Sequence, residues 1–268
     1  MRPRIGYFSA FVLTVSLFPV ASLQGGIVAH WKFDESPGST TAFDSTGIYD
    51  GILSGGAAFV AGGVSGNAIS LAEASNSLVS MGTSFPGLTS GSFTISAWIN
   101  NTDTGSSSTV LTKHESGTEN GYLIAINDSG AYGQPNKSWF YGSNRAGSEV
   151  NSTTTVNDGA WHFVVGVYDA SSNTQSIYVD GAPADGTSAT QPILANGAPF
   201  LIGGYNLAGT ATGFYTGLVD DVQVYNMALN DDHISFLFNN PGIAVPEPAA
   251  AALLWFATLI GVGRRVRR

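Results

Sequence analysis

Residues 93–99 read Phe-Thr-Ile-Ser-Ala-Trp-Ile. Phe93, Ile95, Ala97 and Ile99 alternate with Thr94, Ser96 and Trp98, the period of two that defines a half-buried β-strand. The same rhythm runs earlier, where Ile27, Ala29, Trp31 and Phe33 alternate with Val28, His30, Lys32 and Asp34. Shorter runs at 122–126, 161–168, 176–179, 200–203 and 218–225 continue the series, separated by Gly, Asn, Asp and Ser clusters. Asp180-Gly181 supplies a tight hairpin turn after one of them. Helix is scarce. One candidate follows Asn230 as its cap, with Asp231 and Asp232 in the first turn and Ile234, Leu237 and Phe238 on one face. The pattern predicts an all-β chain, and nothing in it marks a second domain or an internal repeat.

Composition agrees. Of 268 residues only 11% are charged, 34 are glycine and none is cysteine. Few helix formers and many turn residues favour strands. The absence of cysteine excludes disulfides, thiolate metal sites and cysteine nucleophiles. The net charge of −9 hides an asymmetry. Arg2 and Arg4 open the chain, Arg264, Arg265, Arg267 and Arg268 close it, and only Lys32, Lys113, Lys137 and Arg145 lie between. Eighteen acids upstream of Glu247 face those four bases, so the body carries about −14. Such a surface repels nucleic acid and anionic headgroups and suits cations, neutral polymers or basic partners.

The two ends have their own patterns. Residues 1–24 run from a basic start through an apolar stretch at 5–20 to small residues at Ala21 and Ser22, as a signal peptide cut near 22–24 does; a retained anchor is the alternative. At the other end, 243–268 contains Val245-Pro246-Glu247-Pro248, an apolar segment at 249–263 and a terminal arginine cluster. As a helix the apolar segment spans about 22 Å at about 1.5 Å per residue, short of a hydrocarbon core of about 30 Å. It would enter a membrane but hold there poorly, and the arginines favour the cytoplasmic side. This ordered tail resembles the PEP-CTERM sorting signal. The resemblance implies recognition by an exosortase-type membrane protease, only transient membrane contact, and delivery to the outer surface or extracellular matrix of a Gram-negative-type bacterium. A simple tail anchor leaves the Pro-Glu-Pro step unexplained.

Between the tails, residues 25–242 form one domain. The stretches HWKFDESPGSTTAFDSTGIYDGIL, GSFTISAWI, VLTKHESGTENGYLIAI, WHFVVGVYD, IYVDG, FLIGG and FYTGLVDDVQVYNMALNDDHI occur in that order. They resemble the laminin-G-like or concanavalin A-like jelly-roll family. The resemblance implies two antiparallel sheets packed as a sandwich, with a short apolar helix left to the C-terminal tail, and a role in binding carbohydrate or protein, sometimes with calcium. One fold hosts many functions, so no ligand is selected.

Strand alternation places Asp220 and Asp221 on opposite faces, Asp220 with the apolar set Leu218, Val222 and Val224. A lone buried carboxylate is unfavourable unless it is paired, hydrogen-bonded or bound to a cation. Oxygen donors suit calcium. Since the family brings the first and last strands of the body together, Asp34, Asp44 and Asp221 are the candidate calcium ligands, with carbonyls from 46–50. The alternative is that these acids hydrogen-bond to backbone amides and turn the chain. For carbohydrate, Tyr132, Trp139, Tyr141, Asn144, Tyr205 and Tyr215 are the candidates, with Asn136, Phe140, Arg145 and Phe214 nearby. Rings stack on the apolar face of a sugar while amides bond its hydroxyls. Residues 139–141 read equally well as a strand packed on the core, beside Trp31, Trp98 and Trp161. Catalytic signals are weak. Glu115 and Glu119 alone have glycosidase-like spacing, with Gly117 and Thr118 between them, and His30, His114, His162 and His233 form no local metal-ligand pair. A non-catalytic polysaccharide- or glycan-binding protein is the leading expectation; an adhesive matrix protein and a polysaccharide-cleaving enzyme are the alternatives.

Overall fold

The period-two runs become strands, and two sheets of them face each other across an aromatic core. A computed structural model describes residues 26–246 apart from 90, 103–107, 116–119, 128–133 and 144–147. The strands are β1 (Ile27–Trp31), β2 (Thr41–Ala42), β3 (Gly51–Ser54), β4 (Ala58–Ala61), β5 (Asn67–Leu71), β6 (Leu78–Gly82), β7 (Phe93–Asn100), β8 (Ser108–Glu115) and β9 (Asn120–Ile126). They continue as β10 (Lys137–Ser143), β11 (Val150–Thr155), β12 (Trp161–Asp169), β13 (Thr174–Val179), β14 (Gly186–Ala189), β15 (Phe200–Ile202), β16 (Tyr205–Leu207), β17 (Thr210–Thr212) and β18 (Gly217–Tyr225), followed by α1 (Asp231–Asn239). The first sheet has the order β14-β13-β12-β7-β18-β5-β4, with β1 also on β18. The second runs β11-β10-β9-β8-β15-β6-β3-β2, and β16 and β17 pair with each other. The result is the antiparallel jelly-roll sandwich that the sequence predicts.

The core fills as the alternation of 93–99 dictates. Phe93, Ile95, Ala97 and Ile99 are fully buried between the sheets, against Val110, Tyr122, Ile124, Phe140 and Phe200 of the second sheet. Trp31 stacks on Phe200 with ring centroids 5.6 Å apart. At Gly166 a Cβ would lie 2.3 Å from the Phe140 ring, so β12 needs glycine there for the sheets to approach.

A second apolar layer lies outside the first sheet, where Trp98, Phe163, Val165, Tyr178 and Tyr225 meet Ile234 and Leu237 of α1. The helix begins where the sequence places it: Asn230 Oδ1 accepts the His233 amide at 3.0 Å. Trp98 stacks on Phe238 at 5.5 Å and 15°, and Trp161 packs against the same layer. Trp98 and Trp161 therefore belong under the helix rather than in the inter-sheet core, because the outer face of this sheet is itself apolar. Asp180 and Gly181 both have positive φ, but β13 and β14 are joined by all of 180–185 rather than by a two-residue turn.

On its other edge β18 changes partner midway. Residues 217–219 pair with β5 and residues 222–225 with β1, and the register against β7 shifts between Asp220 and Gln223. This is a β-bulge, with Asp221 at φ +45. Residues 1–24, expected to be a signal peptide, and the tail beyond Pro246 lie outside the described residues, and among those described no helix is long and apolar enough to cross a membrane.

Two substitutions separate core burial from capping. Leu237→Ala removes a fully buried side chain and is expected to cost about 2–5 kcal/mol, whereas Asn230→Ala removes one cap at about 1 kcal/mol. Urea unfolding of both variants checks the ratio; equal losses would mean that α1 does not seal the outer layer.

Candidate functional site

The bulge in β18 turns both aspartates to the same side. Val219, Val222 and Val224 face the core, leaving Asp220 and Asp221 together on the outer face, both buried. The expectation of opposite faces fails because the extra bulge residue breaks the alternation. Asp220 accepts the Ser65 amide at 3.2 Å and the Asp221 amide at 2.7 Å. Burial pushes its carboxyl up to about 7, against the lowering effect of those amides. Asp221 Oδ1 lies 2.5 Å from His30 Nε2 and accepts the Gln223 side-chain amide at 2.9 Å, while Oδ2 accepts the Gly242 amide at 2.7 Å. Tyr225 donates to Gln223 Oε1 at 2.5 Å and accepts from the Val245 amide at 3.0 Å. The network thus reaches from β1 to the last described residues.

Asp44 organises the loop after β2. Its carboxylate accepts the amides of His30, Thr46, Ile48 and Tyr49 at 2.9–3.3 Å and the Thr46 hydroxyl at 2.5 Å. Burial raises its pKa, but the Thr46 hydroxyl and the amides outweigh this and hold it below the ordinary value. Asp34 accepts the Asn67 amide at 3.0 Å. Asp44 and Asp221 thus both engage His30, through its amide and its ring, whereas Asp34 engages Asn67, and among the described residues no three His, Asp or Glu converge as a metal group. Both oxygens of Asp44 and of Asp221 meet N–H or O–H donors, and Asp34 Oδ1 meets the Asn67 amide.

The aromatic candidates separate into two groups. In β10 Phe140 enters the core while Trp139 and Tyr141 point the other way, onto the outer face of the second sheet, opposite Ala125 and Leu123 of β9. They are in a strand and buried, as the core reading of 139–141 expects, with Phe140 in the inter-sheet core and Trp139 and Tyr141 in a smaller cluster on the outer face. Tyr205 of β16 packs against this cluster. His114 joins it, with Nδ1 3.0 Å from Tyr205 Oη and ring centroids 5.3 Å from Tyr141 and 5.5 Å from Tyr205. Burial pushes the His114 imidazole down to about 4, so it is neutral at ordinary pH. Trp139, Tyr141 and Tyr205 thus come together, although Trp139 is only 7% exposed and Tyr141 4%. Tyr215 does not join them. It is fully buried in the inter-sheet core, donating to the carbonyls of Asn100 and Leu218 at 3.3 and 3.4 Å. Tyr132, Asn144 and Glu119 lie outside the described residues. His114 was missed because its partner Tyr205 is 91 positions away; its only local signal is alternation with Lys113 in β8.

Two other features lie elsewhere. A groove of about 530 Å³ on the outer face of the first sheet is lined by Tyr178, Asp169, Asp231 and Asp232 beside the start of α1. His162 sits between Asp180 at 2.8 Å and Asp158 at 3.1 Å. The Asp180 bond leads in raising its pKa against the opposing effect of burial, and the Asp158 bond adds to it.

The profile of the concanavalin A-like lectin/glucanases superfamily matches residues 73–235, more than half of the chain. No curated protein matches by sequence. Among solved structures, domain 4 of AbnA, a GH43 extracellular arabinanase from Geobacillus stearothermophilus, in complex with arabinotriose, is 18% identical. It aligns over 80% of this chain and 98% of that one with a TM-score of 0.56. The binding domain of botulinum neurotoxin DC in complex with SialylT is 15% identical over 80% of this chain and 51% of that one, TM-score 0.58. The binding domain of Paraclostridial Mosquitocidal Protein 1 is 18% identical over 80% and 52%, TM-score 0.57. The chain spans about half the length of these two toxin domains. At such identities the likeness is one of fold.

The titrating groups give a signed pH dependence. Asp220 and His162 both have raised values, so what they contribute is present below their unfolded values and is lost as pH rises, for Asp220 through about 7. Asp169, held down to about 2 first by the Ser171 hydroxyl, contributes above its unfolded value and loses this as pH falls toward about 2. The melting temperature is expected to fall between pH 5 and pH 8, and less steeply in Asp220→Asn and in His162→Gln. An unchanged slope in both variants would remove these groups as its source.

Proposed function

The chain belongs to the concanavalin A-like lectin/glucanases superfamily, and from that premise we propose that it is an exported, non-catalytic carbohydrate-binding protein whose ligand face is the outer surface of the second sheet. The observation that carries this reading is the convergence there of Trp139, Tyr141 and Tyr205 with His114. Flat rings side by side offer stacking surface for the apolar faces of successive sugar residues, and the phenol and imidazole groups offer hydrogen bonds to hydroxyls. Complexes of similarly folded domains with arabinotriose and with SialylT support it. In the same proposal residues 1–24 direct export, and the Pro-Glu-Pro tail is handed to an exosortase-type protease that delivers the body to the outer surface or matrix.

The low exposure of Trp139 and Tyr141 favours a second reading, an adhesive matrix protein in which these rings are structural and the partner is another protein. Binding assays separate the two. A glycan array probed with residues 25–246, with calcium and with chelator, is expected to give a defined set of polysaccharide hits. Trp139→Ala and Tyr141→Ala, checked for native circular dichroism, should each weaken the best hit at least tenfold. Empty arrays in both conditions, together with co-precipitation of a protein from envelope fractions, would replace the first reading with the second.

A further inference from the structure

We propose that the groove between the β12–β13 ladder and the start of α1 binds a linear polyamine, whose methylene stem lies on the apolar floor and whose ammonium groups meet the acids along it. The groove is on the outer face of the first sheet and stands apart from the candidate carbohydrate face of the second.

Its volume of about 530 Å³ suits a small molecule. The floor is Val167, Tyr178 and Leu229, all buried members of the apolar layer under α1. Asp169 lines the groove from β12, and Asp231 and Asp232 line it from the first turn of α1. No Lys, Arg or His is among the described residues that line it. The charge calls for a cation and the floor for methylene groups, a combination that a flexible amine meets by laying its stem on apolar surface while its charged ends stay in polar surroundings.

The carboxylates are spread out rather than gathered. β12 and β13 pair Asp169 with Thr174 and Val165 with Tyr178, and Tyr178 Oη donates to Asp231 Oδ1 at 3.1 Å. Thr174 and Tyr178, the strand positions beside the two acids, are about 13 Å apart at about 3.3 Å per residue. Among the described residues no three acids converge as a metal group. Cations strung along an apolar chain match such an arrangement better than one ion does.

Each acid remains available as a charge. Asp169 is met by the hydroxyls of Ser92, Ser171 and Ser172 and by the Ser171 amide. These donors, the Ser171 hydroxyl foremost, hold its carboxyl down to about 2 without cancelling its charge. Burial, and then the charge of Asp231, pushes the Tyr178 phenol up to about 12, so it stays protonated and donates. Asp232 makes no hydrogen bond or ion pair with the described residues. Acids in a first turn also favour a helix N-terminus. That role accounts for Asp231 and Asp232 but not for Asp169, which lines the same groove from a strand.

Calorimetric titration of the intact chain with spermidine tests the site. One saturable site is expected, weakened by salt and tighter than for ethylenediamine, whose two ammonium groups are too close together to span the groove. Asp232→Asn, which breaks no hydrogen bond to the described residues, should weaken spermidine about fivefold. Glu73→Gln, the same change of charge at an exposed position outside the groove, should leave the affinity unchanged. Absence of a saturable site, equal affinity for the two amines, or equal weakening by both substitutions overturns the proposal. A lysine tripeptide or a glucosamine oligomer that binds tighter than spermidine, with the same loss in Asp232→Asn, also overturns it, in favour of a basic protein or an amino sugar.

Discussion

The seam in β18 is the constraint on which the sandwich depends. A strand inside a sheet must satisfy its backbone on both edges, and here one edge passes from β5 to β1 at Asp220 and Asp221. The bulge supplies the slack. Asp220 reaches the Ser65 amide of the turn before β5, and Asp221 reaches the His30 side chain of β1 and the Gly242 amide. Removing the Asp221 carboxylate would leave the Gln223 and Gly242 donors and the His30 ring buried without it, and each unmet group of this kind costs about 1–3 kcal/mol. A buried polar network whose every member is met fixes one arrangement of strands; half-met, it would fix none.

The sequence made the strands readable because apolar and polar residues alternate in β7, while branched and aromatic residues run continuously through β9 and β12. It made the layers less readable. Residues 161–168 are apolar on both faces, so periodicity alone does not say which face meets the other sheet and which meets α1, nor that the core cluster holding Trp98 and Trp161 is the one under the helix. The bulge left no trace, since aspartate adopts a left-handed conformation with little penalty and two adjacent acids look the same in a regular strand. Among the aromatic candidates, Tyr205 and Tyr215 sit in similar Gly- and Thr-rich surroundings. Only the fold distinguishes a ring on a hairpin arm from one in the core.

The two outer faces of the sandwich are finished in different ways. The first sheet is covered by α1 and by the segment ending in Val245, which packs into the same apolar layer as Ile27. Gly26 and Asn226 hydrogen-bond each other in both directions, and the Val245 amide bonds Tyr225. The chain therefore enters and leaves the body on this side. The outer face of the second sheet, with its rings and its hairpin, lies on the opposite side of the core from Gly26 and Val245.

The acidity of the body is also less of a recognition signal than its count implies. A charge of about −14 reads as a field that attracts cations, but several of the described carboxylates are used within the chain. Asp44 caps a loop, Asp169 takes the Ser171 and Ser172 hydroxyls, and Asp185 takes the amides of Thr153 and Thr154. Of the few lysines, Lys113 is buried with its ammonium on Ala198 O, and Lys137 donates to Thr153 O. The ion pairs of Asp158, Asp180 and Asp221 run to histidine. Backbone and hydroxyl dipoles thus stand where basic side chains and disulfides would serve in other domains. Glycine- and serine-rich loops need such anchors, because they have no apolar side chains to hold them. These acids hold the loops, whereas the cluster of Leu123, Ala125, Trp139 and Tyr141 on the outer face of the second sheet is uncharged.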